Sequence, residues 1–356
     1  MVGIKKLMTD DNTDNWYSIQ LKGTDTDNHL SHRSIFNTVI ISSSCGTFRY
    51  KNYFYNFSDC VASCIGNGSF GFVYRGVESS AGKPVAIKKM PKVNVKLDEI
   101  KVMKAVKSNY LVSLIDTCIK NDEDNIYIIT ELCDIDLDCH LKYHTIDGTL
   151  SSHNLRRVID NIIQGYNVLY NCCIVHRDIK PQNILIKYGE QNLIEIAKIS
   201  DFGISRMLND EDYKSLSTVA GTLYYMAPEV GANILRTHEY GHEVDVWSLG
   251  CVFYQCVMGK VPFNEQELCR MFLFVACDNY DAYDKPELSF DIDENIAKMI
   301  NSQLEIDSAK RATPNQLYNE ICKWDCDRRY NDNSSYVDDS LSYQSNCSII
   351  EFDEID

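Results

Sequence analysis

"IVHRDIKPQNILI", residues 174–186, sets His176, Arg177, Asp178, Lys180, Gln182 and Asn183 within eight positions between apolar flanks. Polar and ionisable side chains crowded like this cost free energy to bury unless each has a partner or a task. The stretch therefore points to chemistry, and its partners must be sought elsewhere along the chain.

Upstream, IGNGSFGFV places Gly66, Gly68 and Gly71 in a GxGxxGxV array between strands rather than between a strand and a helix. Glycines let backbone amides approach phosphates with no side chain in the way. Turn chemistry alone offers a plain glycine-rich hairpin as the alternative. The next strand weighs against that. VAIKK puts Lys88 on an apolar strand, where an unpaired ammonium is costly, so it calls for an anionic partner such as a nucleotide phosphate together with a carboxylate.

From Ser58 onward, short strands alternate with glycine punctuation: CVASCIGNGSFGFVYRGVES, a turn at SAGK, then PVAIKKM. KLDEIKVMKAVKS follows with Leu97, Ile100, Met103 and Val106 near helical spacing, before LVSLID and NIYIITEL restore strand character. Past Leu137 the period is mostly helical, through NLRRVIDNIIQGYNVLY, VDVWSLGCVFYQCVMG and ENIAKMINSQL. A sheet-rich lobe thus precedes a helix-rich one. The stretch to about Asn28, rich in Asp, Asn and Thr, reads as disordered or loosely attached. IFNTVIISSS and FRYKNYFYNF have strand composition without clean alternation, and the acidic, serine-rich tail has little to bury.

The totals narrow the function. In 356 residues, 44% apolar and 24% charged, one two-lobed unit can bury its cores. A net charge of -16 repels nucleic-acid phosphates and anionic lipid surfaces in bulk. No apolar run approaches membrane-spanning length, and Val2 before Gly3 breaks the myristoylation pattern, so no membrane anchor is expected and the protein reads as intracellular and cytoplasmic, in a host cytoplasm if it is viral. The 15 cysteines, including adjacent Cys172 and Cys173 and the pair Cys322 and Cys326, form neither a disulfide framework nor a zinc pattern and read as packed thiols.

With GNGSFG, VAIK, HRDIKPQN, DFG, GTLYYMAPE, DVWSLG and KRAT in that order, Ser58 to Trp324 resembles the eukaryotic protein kinase family, in its serine/threonine branch. The resemblance implies an α+β, bilobal fold with a small β-rich N-lobe carrying helix C and a larger helical C-lobe. It also implies ATP and Mg2+ as cofactors and proteins with Ser or Thr acceptors as partners, with no nucleic acid. Phosphoryl transfer asks a protein mainly to position groups and spread charge. By resemblance, Asp178 orients the substrate hydroxyl, Lys180 steadies the moving phosphoryl group, and Asn183 and Asp201 hold magnesium through an amide oxygen and a carboxylate. Lys88 pairs with Glu99 of helix C, and Thr222 bridges Asp178 and Lys180.

ATP is implied to lie under Ile65, Gly66, Asn67, Gly68, Ser69, Phe70 and Gly71, between Val73, Ala86 and Leu185, with Lys88 and Asp201 at its phosphates. Thr130 becomes the gatekeeper, the backbones of Glu131 and Cys133 meet the base, and Asp136 reaches the ribose. Because backbone groups read the base, side-chain identity at this hinge is expected to constrain little. His176, Met103, Leu114 and Phe202 form an internal column anchored by Asp245, and Glu229 pairs with Arg311. Arg177 implies control by activation-loop phosphorylation, with Thr218 favoured over Ser215 and Ser217 and with Arg206 either a second phosphate partner or a solvated cation.

Two features strain the pattern. Glu99 follows Lys88 by only eleven positions (99 minus 88), which shortens helix C at its start; Asp98 is the adjacent substitute. ELCDIDL, IKYGEQNLIEIAKISDFG and FYQCVMGKVPF also resemble the Unc-51-like branch. The expected division is an extension over 1–57, partly disordered, an N-lobe over 58–133, a C-lobe over 134–325 and an acidic disordered tail over 326–356. The alternative to an active enzyme is a pseudokinase or scaffold that binds nucleotide and partners without catalysis.

Overall fold

The computed structural model describes residues 3–6, 17–20, 39–42, 45–50, 53–58, 63–68, 71–94, 100, 103–104, 106–119, 124–201, 223–232 and 240–331. Near the start, β1 (Gly3–Lys6) and β2 (Tyr17–Gln20) form an antiparallel ribbon, in a stretch whose composition predicts little order.

The small lobe is an eight-stranded antiparallel sheet. Its strands are β3 (Val39–Ser42), β4 (Cys45–Tyr50), β5 (Tyr53–Ser58), β6 (Cys64–Gly68), β7 (Gly71–Glu78), β8 (Lys83–Pro91), β9 (Leu114–Ile119) and β10 (Asn125–Glu131). The order is β3-β4-β5-β7-β8-β10-β9, and β6 also pairs with β7. Side chains alternate between faces, so register decides where each points. In β10, Ile126 and Ile128 join the main core while Tyr127 and Ile129 join a second cluster with Val85, Ile87, Tyr74, Cys118, Tyr55 and Phe57. In β8 the intervening positions Ala86, Lys88 and Met90 therefore share the face of the main core.

Tyr55 and Phe57 explain why the strands before residue 58 join this sheet. Both are buried, and Phe57 lies 5.4 Å from the Tyr74 ring and 6.2 Å from the Tyr127 ring. Strand β5 pairs with the far end of β7, Phe57 opposite Gly76, whereas β6 pairs with its near end, Cys64 opposite Tyr74. The sheet thus continues across the limit expected at residue 58. Of the helix-C stretch, Ile100, Met103 and Lys104 are helical, with Ile100 and Met103 buried, and Val106 lies beyond the helical residues. Glu99 and Asp98 lie outside the described residues.

The large lobe begins with β11 (Ile135–Asp136), which pairs with β12 (Ile184–Tyr188), itself paired with β13 (Ile194–Ile199). Around them lie α1 (Leu137–Tyr143), α2 (Ser152–Asn171), α3 (Pro228–Ala232), α4 (Glu243–Met258), α5 (Glu265–Ala276), α6 (Glu294–Gln303) and α7 (Pro314–Asn331). Helix α2 buries Leu155, Val158, Ile159, Ile162, Ile163, Tyr166 and Leu169, the stripe expected of a one-faced helix. Helix α4 is buried from Val244 through Tyr254, which makes it the axis of the lobe. Helix α7 runs past the limit expected at residue 325.

Candidate active site

The loop over 176–183 is fastened from below by Asp245, in the first turn of α4 and wholly buried. Its Oδ2 accepts the His176 amide at 2.6 Å, and its Oδ1 accepts the Arg177 amide at 2.7 Å. Arg177 has φ +65° and Asp201 φ +59°, a region that side-chain-bearing residues seldom occupy and that persists only where surrounding contacts over-determine it. His176 joins the two loops. Its Nε2 is 2.8 Å from the Ser200 carbonyl and its Nδ1 is 3.3 Å from the Asp178 amide.

Asp178 is held from two sides. Lys180 Nζ donates to its Oδ1 at 2.8 Å, and Asn183 Nδ2 donates to its Oδ2 at 2.8 Å and to its main-chain carbonyl at 2.7 Å. The Ser200 amide and hydroxyl both donate to the Asn183 carbonyl, at 2.9 and 3.0 Å, which brings Asn183 beside the residue preceding Asp201. Above, Lys88 Nζ meets Asp201 Oδ2 at 2.8 Å, from a side chain 12% exposed. Crowding opposes charge on Asp201, but Lys88, helped by His176 and Lys180, prevails and lowers its pKa below the ordinary aspartate value.

The loop offers donors of the kind magnesium takes. Asn183 spends its amide nitrogen on Asp178, which turns its carbonyl oxygen, the hard donor that magnesium prefers, away from that bond. Asp201 supplies an ionised carboxylate, so the donor set suits the ion. The glycines separate into two kinds. A Cβ on Gly71 (φ +148°) would lie 2.1 Å from the Lys89 carbonyl oxygen, so the fold itself needs that glycine. A Cβ on Gly66 would meet only Val73 at 3.6 Å, an ordinary contact, so packing does not require glycine there.

Register pairs the expected base-binding residues within each of two sheets. Gly66 lies opposite Val73, Val73 opposite Lys88, Ala86 opposite Thr130, and Asp136 opposite Leu185. Ile65 is half exposed and Cys133 is buried. Asn67 and Gly68 pair with Phe72 and Gly71 across the β6–β7 turn, whose tip, Ser69 and Phe70, lies outside the described residues. Asp136 Oδ1 accepts the Cys139 amide at 2.8 Å and caps α1. Phe202, Arg206, Ser215, Ser217, Thr218 and Thr222 also fall outside the described residues.

The hinge differs from expectation. The Glu131 side chain is no bystander: it accepts Lys187 at 2.5 Å, Lys198 at 2.8 Å and the Ser113 amide at 2.8 Å. Burial alone would raise its pKa, but these donors outweigh it and bring the carboxyl to about 2. Sequence reasoning missed this cluster because its members lie 18, 56 and 67 positions apart, with no local spacing to betray them. Glu229 and Arg311 meet as expected, at 2.7 and 3.1 Å through both carboxylate oxygens.

An antiparallel small lobe over a helical one, with an HRD-type loop facing a strand lysine paired to an aspartate, defines the bilobal α+β protein kinase fold. The chain belongs to the protein kinase family: residues 61–321 match the family described as "Protein kinase domain". It is 32% identical over 218 residues to serine/threonine-protein kinase fused of Drosophila melanogaster, covering 59% of this chain and 25% of that protein. It is 29% identical over 261 residues to serine/threonine-protein kinase STE20 of Candida glabrata, covering 72% and 27%. Against serine/threonine-protein kinase 33 of Bos taurus it is 29% identical over 267 residues, covering 71% and 52%. The chain thus spans from a quarter to about half the length of these relatives. Among the described residues no helix is long and apolar enough to cross a membrane.

Proposed function

We propose that the protein transfers the γ-phosphoryl group of ATP to serine and threonine hydroxyls of proteins. The observation that carries this reading is the pinning of Asp178 between Lys180 and Asn183, each at 2.8 Å. Both carboxylate oxygens are oriented, so the group is set to accept a hydrogen bond from an incoming hydroxyl and align it for attack. Lys180 stands beside that position to offset charge on the transferring group, and Lys88 grips the nucleotide phosphates from the small lobe.

Asn183 and Asp201 would hold magnesium, which supplies charge neutralisation at the phosphates when bound. Ile65, Val73, Ala86 and Leu185 would enclose the adenine, with the Glu131 and Cys133 backbones reading its edge. Glycines 66, 68 and 71 give the phosphates room beneath the β6–β7 turn. Serine and threonine specificity is supported by Lys180 in HRDIKPQN, by Thr222 in GTLYYMAPE and by the names of the relatives, all serine/threonine-protein kinases.

The division into lobes belongs to the same proposal, with the small lobe ending near Cys133 and the large one beginning at the next residue. Strand β5 supports starting the small lobe before residue 58. A cytoplasmic setting and control through Arg177 and Thr218 are part of it too. The test is magnesium-dependent incorporation of labelled phosphate into a mixed protein substrate by the wild type and by Asp201→Ala. Incorporation lost in the variant is expected. Folded wild type that binds ATP but transfers nothing would overturn the catalytic reading and leave a nucleotide-binding scaffold.

A further inference from the structure

Asp245 accepts a third hydrogen bond, from outside the catalytic loop. The Tyr166 hydroxyl of α2, in a side chain 1% exposed, is 2.9 Å from Asp245 Oδ2. That hydroxyl also lies 3.3 Å from the His242 carbonyl and 3.3 Å from His242 Nδ1. It has one proton to give, and Asp245 is both the nearest acceptor and the charged one, so the proton goes there.

We propose that Tyr166 is a positioning residue that acts through Asp245: its hydroxyl holds the carboxylate that fixes Arg177 and, through Arg177, the adjoining Asp178. This rests on the phosphoryl-transfer reading above. The two backbone amides on Asp245 need acceptors on both carboxylate oxygens. A proton on that carboxyl would turn one acceptor into a donor facing an N–H group, loosening the left-handed turn at Arg177 and the aspartate beside it.

The surroundings leave Tyr166 this task. Burial pushes Asp245 above the ordinary aspartate value, against the pull of His176, the two amides and Tyr166. His176 and Arg177 face it from the loop, Tyr166 from α2 and His242 from the start of α4, while Tyr170 and Glu243 face Tyr166. His176 is committed to Ser200, and Glu243 accepts the Gly241 amide at 2.8 Å. Tyr170 packs its ring edge-on against His242 at 4.6 Å. Among the described residues Tyr166 is the only side chain that hydrogen-bonds to Asp245.

The experiment compares wild type, Tyr166→Phe and Tyr170→Phe by the pH profile of kcat, the KM for MgATP, and thermal melting between about pH 5.5 and about pH 8. Tyr166→Phe should move the acid limb of kcat up by about one pH unit, the scale of one lost hydrogen bond to a charged group. KM for MgATP should stay within about twofold, because the lost contact touches no nucleotide site. Tyr170→Phe should leave the limb in place. The melting gap between wild type and Tyr166→Phe should widen as pH rises, since the lost bond favours the ionised carboxyl. An acid limb unmoved in Tyr166→Phe, or moved equally in Tyr170→Phe, would overturn the proposal, as would a melting gap constant with pH. An inactive wild type would contradict the kinase reading instead, and the melting gap would still decide whether Tyr166 holds Asp245. If Tyr166→Phe does not fold, Asp245→Asn takes its place: wild-type activity in that variant would overturn the proposal, and a deep loss of kcat with MgATP binding kept would support it.

Discussion

Lys198 lies three residues before Asp201 and donates to Glu131, at the end of β10, over 2.8 Å. The strand that leads into the candidate metal-binding aspartate is thereby fastened to the hinge of the small lobe. Both side chains are mostly buried, at 9% and 12% exposure, so neither charge is well served by water. Such a pair is costly to break from one side, because the remaining charge stays buried.

Glu131→Gln should therefore destabilise the protein by about 3 kcal/mol at neutral pH. The folded carboxyl at about 2 lies below its ordinary 4.5, so its contribution is complete above that ordinary value and is lost as pH falls through about 2. Urea denaturation at neutral pH and in acid is the check. The gap between wild type and variant should narrow toward acid, and a gap that stays constant would contradict the role given to this carboxylate.

Lys88→Met should lower phosphoryl transfer by about a hundredfold or more while the melting temperature stays close to wild type. Asp201, the partner left behind, is 36% exposed and can be solvated. Steady-state kinetics with calorimetric melting separates the effects. Unchanged turnover would remove Lys88 from the site.

The two glycines make opposed predictions. Gly66→Ala should keep stability and raise KM for ATP, because the added methyl meets only Val73 and then whatever occupies the cleft. Gly71→Ala should lose about 1–3 kcal/mol or more of stability, because its φ and its clash with the Lys89 carbonyl are built into the hairpin. If both variants melted alike and bound ATP alike, the distinction between a packing glycine and a ligand glycine would be wrong.

Arg311→Lys tests a geometry rather than a charge. Its side chain is fully buried, forks onto Glu229, donates to the Glu243 and Glu305 carbonyls and lies 5.1 Å from the Trp247 ring. Lysine keeps the charge and cannot reproduce the fork, so a loss of about 2–4 kcal/mol is expected by denaturant melting. A loss below about 0.5 kcal/mol would show that the fork contributes little.

Much of the site was legible because its parts are short, spaced motifs whose chemistry is local. Asp178, Lys180 and Asn183 lie within six positions and contact one another directly. Lys88 was legible through an ion on an apolar strand, and β8 puts it on the cleft face by alternation. The Glu131 cluster and Tyr166 were not legible, since their partners meet only through tertiary packing and no spacing marks them. Strand β5 was obscured by aromatics at 53, 54, 55 and 57, which hide the period of two that Tyr55 and Phe57 follow. The disorder expected before residue 58 came from composition, which carries no information about pairing with a distant strand edge.

The central claim is that Asp178 directs transfer in the cleft rather than building the cleft. The most direct measurement is the rate of γ-phosphoryl transfer to protein serine and threonine by wild type and Asp178→Asn, with the MgATP dissociation constant of each. Asparagine keeps the shape and accepts the Lys180 contact through its amide oxygen; it loses the side-chain bond from Asn183, which stays tied to the main-chain carbonyl of residue 178, so MgATP should bind within about threefold while the rate falls by about a thousandfold. Equal rates in the two proteins, or no transfer by wild type that binds MgATP, would contradict the account.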